Sequence, residues 1–273
     1  MPELPEVQTV VSTLQIQLEN KTIQEVIIKT PSIIQQDADV FEQALLNKKF
    51  IGFHRRGKYI VIHLNEGYLV IHLRMEGRFF IRDVVEENKH VHVIFLLSNQ
   101  KVLHYQDTRK FGRMKYLKDI DELESYFAHL GLEATDEKFT GSYLFQKAKN
   151  SKRTLKSMLL SQHIVVGIGN IYADEICFYA NLHPATPCHT ISKSKWEKIV
   201  EGIQSILKEA TKLGGSSIRS YTDSLGISGR FQLQLKVHMR KDERCYVCGS
   251  TIIKTKVANR GTYVCPTCQK LKK

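Results

Sequence analysis

A chain of 273 residues, 42% hydrophobic and 25% charged, is long enough for two domains and too apolar to be disordered. Its formal net charge of +12 is unevenly spread: residues 236–273 carry ten Lys or Arg against two acids, so +8 lies in that segment, which favours a polyanion as partner. No apolar run approaches the ~18 residues of a membrane span, and the start lacks a basic region followed by an apolar one, so neither a spanning helix nor an export signal is expected.

The first seven residues, Met1-Pro2-Glu3-Leu4-Pro5-Glu6-Val7, read in two ways. Pro5 and the two acids suit an ordinary helix start, where proline is tolerated and carboxylates are favoured by the dipole. Removal of Met1 would instead leave Pro2 as a secondary amine, a nucleophile whose unperturbed pKa of about 8 leaves an uncharged fraction near neutrality. Glu3 and Glu6 lie close by in sequence and could move protons. Val7, Val10, Val11, Leu14 and Leu18 recur at helical spacing and predict a buried helix that fixes this terminus.

Between residues 23 and 120 the period becomes two. Ile23 to Ile28, Lys58 to Leu64, Tyr68 to Leu73, His90 to Leu97 and Lys101 to Tyr105 read as strands of an antiparallel sandwich or barrel. A short helix is expected at Val40 to Asn47 and another over residues 121–130, ended by Gly131. Lys58, His72, Arg74, Met75, Arg109 and Phe111 supply basic and apolar groups at strand ends and loops. Such groups can hold phosphates or fill the gap left by an extruded base, although Met75 and Phe111, taken separately, are more often core residues.

Residues 133–141 form a polar linker, after which the pattern turns helical. Gly167-Ile168-Gly169-Asn170 precedes a helical run, Ile171 to Ala180, and could bring backbone amides to an anion or serve as a plain tight turn. Ser194 to Leu213 predicts an amphipathic helix with Ser194 and Glu197 as its capping box and Gly214 ending it. A Gly/Ser-rich stretch, Gly214 to Gly229, follows.

The tail holds Cys245-x2-Cys248-x16-Cys265-x2-Cys268, two knuckles whose thiolates suit one closed, structural zinc ion. Ile252 to Val257 and Thr262 to Val264 read as a hairpin with Arg260 at its tip, either a solvated turn residue or a phosphate contact. Cys177 and Cys188 stand apart as core or surface thiols.

Taken together, the chain resembles the bacterial formamidopyrimidine-DNA glycosylases from end to end. The motifs are Pro2-Glu3-Leu4-Pro5-Glu6-Val7, His72-Leu73-Arg74-Met75-Glu76-Gly77, Asp107-Thr108-Arg109-Lys110-Phe111-Gly112, Gly167-Ile168-Gly169-Asn170, Gly214-Gly215-Ser216-Ser217-Ile218-Arg219 and Arg260-Gly261-Thr262 with Cys265 and Cys268. The resemblance implies an α+β fold: an N-terminal β-sandwich with its N-terminal helix over 1–132, a linker at 133–141, a helix-two-turn-helix domain over 142–229, and a zinc finger over 236–273. It implies excision of oxidised purines, 8-oxoguanine and formamidopyrimidines, followed by β,δ-elimination in base excision repair.

By that resemblance the catalytic group is Pro2, Glu3, Glu6 and Lys58. DNA contacts fall to His72, His90, Arg109, Asn170 and Arg260, with Lys58 also at a phosphate, and Met75, Arg109 and Phe111 fill the void. A loop over the extruded base includes Ser217, Ile218, Arg219 and Tyr221. The implied cofactor is one zinc ion, the partner is double-stranded DNA bearing an oxidised base or abasic site, and the protein is expected as a cytoplasmic, nucleoid-associated monomer. The chain departs from the family pattern at Ser157, Ser161, Val91, Asn259 and Val237-His238-Met239-Arg240. An endonuclease VIII-like enzyme for oxidised pyrimidines is the nearest alternative, but it usually has glycine where this chain has Leu4. A non-catalytic DNA-damage-binding paralogue and a zinc-stabilised scaffold are more distant alternatives, and the scaffold leaves Pro2 unexplained.

Overall fold

The structure is a computed structural model that describes residues 1–216 and 229–271. Ser217, Ile218, Arg219 and Tyr221 lie outside the described residues. The chain divides into two compact units, residues 1–128 with 214–229, and residues 129–213 with 230–273. The described residues 214–216 and 229 thus group with the N-terminal unit, and the zinc-finger segment groups with the helices.

Helix α1, Leu4–Leu18, opens the first unit. Val7, Val10, Val11, Leu14 and Leu18 are all buried, as their spacing predicts, each contributing roughly 1.5–3 kcal/mol. They join one core with Phe50, Ile60, Ile62, Leu69 and Ile71 from one sheet and Phe79, Val93, Phe95, Leu103 and Tyr105 from the other. The strands are β1 (Ile23–Ile28), β2 (Phe50–Arg56), β3 (Tyr59–Leu64), β4 (Tyr68–His72), β5 (Arg78–Arg82), β6 (Val91–Leu97), β7 (Val102–Gln106) and β8 (Arg113–Leu117). They form two antiparallel four-stranded sheets, ordered β1-β6-β7-β5 and β2-β3-β4-β8. This is a sandwich, and interior strands such as β6 are buried on both faces, which is why they read as apolar runs. Helix α2 is Ala38–Leu45, capped by Asp37, and α3 is Ile120–Phe127, capped by Asp119.

Strands β2, β5 and β8 were not expected from the sequence. Each carries two Lys or Arg, and its sheet neighbours supply the burial that its own composition does not announce.

The second unit is helical: α4 (Gly141–Ala148), α5 (Leu155–Leu159), α6 (Asn170–Tyr179) and α7 (Lys193–Lys212), followed by a hairpin of β9 (Ile253–Val257) and β10 (Arg260–Val264). The expected Ser194–Glu197 capping box does not form. Helix α7 begins earlier, with Ser192 as N-cap and no side-chain cap bond. Glu197 instead accepts the Gly141 amide of α4 at 3.1 Å, an approach that a Cβ at Gly141 would block at 2.3 Å. Tertiary competition for the carboxylate has overridden the local motif. Cys177 and Cys188 are both buried in this unit. The hairpin turn falls on Ala258 and Asn259, both at positive φ, so Arg260 is the first residue of β10 and not the turn itself. Among the described residues no helix is long and apolar enough to cross a membrane.

Candidate functional site

In the first unit the candidate residues converge on the start of α1. Pro2 is buried, and so are Glu3, Glu6 and Lys58. The terminal amine, here on Met1, is held below its ordinary pKa chiefly by burial; the Lys58 charge also lowers it, while Glu3, Glu6 and Glu76 oppose this. An amine so placed keeps an uncharged fraction at neutrality.

The two glutamates are differently employed. Glu3 is the N-cap of α1 and forms a reciprocal capping box with Glu6; the Glu3 amide donates to Glu6 Oε2 at 2.9 Å. Glu6 Oε1 accepts the Ser216 amide at 2.7 Å and the Ser216 hydroxyl at 3.2 Å. Gly215, at φ +78, permits this approach, because a Cβ there would lie 2.5 Å from Glu6 Oε1. Glu6 therefore ties residues 215 and 216 to the amine terminus. The sequence offers no local signal for that pairing across 210 positions.

His72 ends β4. Its Nδ1 accepts the Arg74 amide at 2.9 Å, so the neutral ring carries its proton on Nε2, a donor suited to a phosphate oxygen. Burial, then Arg74 and Lys58, pull its imidazole down to about 3 from 6.5. Between those values the unfolded state binds more protons than the folded one, so stability falls as pH drops through that window. The slope is at most about 1.4 kcal/mol per pH unit. His72→Gln is expected to flatten the pH dependence of the urea midpoint there, and an unchanged slope contradicts this assignment.

Asp107, fully buried, builds the loop that presents Arg109 and Phe111. Its Oδ1 accepts the Arg109 amide at 2.9 Å, and its Oδ2 accepts the amides of Phe111 and Gly112 at 2.9 and 2.8 Å. Gly112 is required here, because a Cβ would fall 1.6 Å from the Tyr105 hydroxyl. The loop holds the Arg109 guanidinium 4.6 Å from the centre of the Phe111 ring, while Phe111 and Met75 stay 46% and 40% exposed. Exposure on that scale argues against a core role for either side chain. His90 is half-buried in the turn before β6, and its carbonyl accepts the Asp107 amide. His92 is the histidine locked inside, its ring set between Thr30 Oγ1 at 2.9 Å and the Asp107 carbonyl at 2.8 Å. Asp107 opens one of the motifs that carry the resemblance, but the sequence alone assigns it no role, although an Asp shortly before a glycine is an Asx-turn signal.

In the second unit Asn170 opens α6 behind the glycine N-cap. Its Nδ2 donates to the Gly261 carbonyl at 3.1 Å, next to exposed Arg260. The structure thus ties together two residues that are 90 positions apart. Lys156 Nζ reaches the same carbonyl at 3.1 Å.

The four cysteine sulfurs Cys245, Cys248, Cys265 and Cys268 lie within 4.8 Å of one another. Cys248 and Cys265 are 3.4 Å apart, and Cys245 and Cys268 are 4.0 Å apart, close to the ~3.8 Å edge of a tetrahedron with zinc–sulfur arms of about 2.3 Å. Ser250 hydrogen bonds pull the Cys248 thiol down to about 6, while burial raises Cys265 and Cys268. Four thiolates this close need a cation, and the donor set fits one structural zinc. Gln269 fastens the finger to the helical part, its Oε1 accepting the Cys265 amide and its Nε2 donating to the Leu182 carbonyl, both at 3.0 Å.

The family models that match the chain are the formamidopyrimidine-DNA glycosylase N-terminal domain over residues 1–114, the H2TH domain of the same enzymes over 130–222, and the zinc finger found in FPG and IleRS over 242–271. The formamidopyrimidine-DNA glycosylase of Cytobacillus firmus is 43% identical over 98% of this chain and 100% of the relative. That of Listeria monocytogenes serotype 4b is 41% identical over 99% and 100%. The Lactococcus lactis Fpg in complex with DNA containing an abasic site superposes with a TM-score of 0.93 at 35% identity, covering 98% of this chain and 100% of that one. The complex of the wild-type Lactococcus lactis enzyme with N7-benzyl-Fapy-dG DNA gives 0.93 and 35%, over 99% and 100%. By sequence and by fold, this chain belongs to the formamidopyrimidine-DNA glycosylase family.

Proposed function

We propose that the partly buried terminal amine just before α1 is the working nucleophile of a bifunctional DNA glycosylase and AP lyase for oxidised purines. The observation that carries this reading is the amine's placement, desolvated and within the fields of Glu3, Glu6 and Lys58. Loss of Met1 transfers the terminus to Pro2, whose nitrogen attacks C1′ of the damaged nucleotide as the bond to the base breaks. Glu3 supplies the proton for ring opening and later removes protons. Collapse gives an iminium, which acidifies the C2′ proton. Its loss expels the 3′ phosphate, and a further elimination expels the 5′ phosphate. Glu6 acts by holding Ser216 and the α1 cap in place, and Lys58 balances charge beside the amine.

In this reading the catalytic part is residues 1–132, and the partner is duplex DNA. His72, Asn170 and Arg260, with His90 and Lys58, hold the phosphates about the lesion. Met75, Arg109 and Phe111 enter the stack where the base has left, Arg109 facing the orphaned cytosine. The loop with Ser217, Ile218, Arg219 and Tyr221 covers the extruded base. Zinc holds the finger's fold and takes no part in bond breaking. The protein acts as a monomer in the cytoplasm at the nucleoid.

The test is a duplex carrying 8-oxoguanine opposite cytosine, assayed for free base and for a gap with phosphate on both ends. Rapid excision is expected there, with slow excision of an oxidised pyrimidine. The reverse preference would favour the endonuclease VIII-like alternative.

A further inference from the structure

Lys156 is a fully buried cation, as enclosed as its partner Asp174. Its three protons are all used: on Asp174 Oδ1 at 2.6 Å, Thr262 Oγ1 at 2.9 Å and the Gly261 carbonyl at 3.1 Å. That carbonyl is the one Asn170 also holds. The ammonium position therefore sets the peptide between Arg260 and Thr262, and it is itself set by Asp174.

Asp174 is fixed through its other oxygen. Oδ2 accepts from His238 Nδ1 at 2.7 Å and from the Tyr263 amide at 3.2 Å. A carboxylate offers only acceptors, so Nδ1 carries the proton. His238 in turn is anchored at its backbone, its amide donating to Glu175 Oε1 at 2.8 Å beside the Val237 and Lys236 amides, which also reach the Glu175 carboxylate. Its ring stands edge-on to Tyr263, 5.0 Å between centres. A continuous polar chain thus runs from His238 through Asp174 and Lys156 to the Gly261 carbonyl, where Asn170 and Arg260 meet. Removing its first link leaves a buried carboxylate oxygen short of a donor, and the low-dielectric surroundings make relocation of Asp174 and Lys156 the cheaper response.

We propose that His238 is a positioning residue for DNA: through Asp174 and Lys156 it holds the Gly261 peptide so that Asn170 and Arg260 engage backbone phosphates together. This rests on the reading that Asn170 and Arg260 grip phosphate. The sequence shows only an unusual histidine at this position, and nothing in it joins that residue to Lys156.

The test uses zinc-loaded full-length protein, with a duplex carrying a tetrahydrofuran abasic-site analogue for affinity and an 8-oxoguanine duplex for the single-turnover rate. His238→Phe keeps a ring against Tyr263 but has no Nδ1 donor, whereas His238→Asn keeps a donor at the Nδ1 position. His238→Phe is expected to raise Kd about tenfold with zinc content unchanged and the saturating single-turnover rate within about threefold, and His238→Asn is expected to restore most of the affinity. If His238→Phe fails to fold, Thr262→Val removes a different Lys156 partner, and the same loss of affinity is expected. Unchanged affinity in whichever of these folds, or an Asn variant as weak as Phe, overturns the proposal; the second result would mean that the ring acts through its other nitrogen or its bulk. If Asn170→Ala weakens binding and His238→Phe does not, this inference alone falls. If Asn170→Ala binds as tightly as wild type, the phosphate-grip reading falls and takes this inference with it.

Discussion

Glu3→Gln is expected to cut excision of 8-oxoguanine by at least about a thousandfold while leaving affinity for abasic-site DNA within about twofold, in line with the 10²–10⁴ that a positioned acid–base group typically supplies. The choice of glutamine matters. Glu3 is also the N-cap of α1, its carboxylate accepting the Glu6 amide, and a glutamine oxygen can still accept that bond. Helix α1 and the buried row from Val7 to Leu18 should therefore survive, with thermal stability changed by less than about 1 kcal/mol. Loss of activity then reports the missing proton rather than a frayed helix. Excision within tenfold of wild type would remove Glu3 from the chemistry.

Asp107→Ala should have the largest effect away from the amine. The substitution strands the three amides of Arg109, Phe111 and Gly112 that its carboxylate now accepts. Bonds to a buried charged acceptor are worth about 1.5–3 kcal/mol each, and the stranded donors relax only partly, so a destabilisation of roughly 3–5 kcal/mol is expected. The functional consequence follows from the same geometry. Without the anchored loop, Arg109 and Phe111 lose their stacked arrangement, and both excision and discrimination for cytosine opposite the lesion should fall about a hundredfold or more. Thermal melts and single-turnover excision with each opposing base measure both arms. A variant with wild-type melting and wild-type discrimination would contradict the role given to this carboxylate.

Much of the frame is legible in the sequence alone. The apolar row from Val7 to Leu18 and the alternating or apolar runs of β1, β3, β4, β6 and β7 follow from side-chain period, and the four cysteines from their spacing. What was hidden depends on contacts between distant segments. Lys156 looks like any surface lysine until Asp174, Thr262 and Gly261 enclose it. Glu6 looks like a first-turn acid until Ser216 arrives from the far end of α7. Glu197 offers a plausible local cap for α7, yet the amide it receives belongs to Gly141 on another helix. In each case a charged group finds a partner that no window of sequence contains. The proposed nucleophile, by contrast, needs no distant partner to be named, because an N-terminal amine can occupy only one place in a chain.

The most direct measurement is reductive trapping. Protein whose mass shows removal of Met1, incubated with an 8-oxoguanine duplex and sodium borohydride, should become covalently joined to DNA, and peptide mapping should place the adduct on the Pro2 nitrogen. Pro2→Gly should trap far more weakly. An adduct on a lysine, or none while the oxidised base is still released, would show that the terminal amine is not the nucleophile.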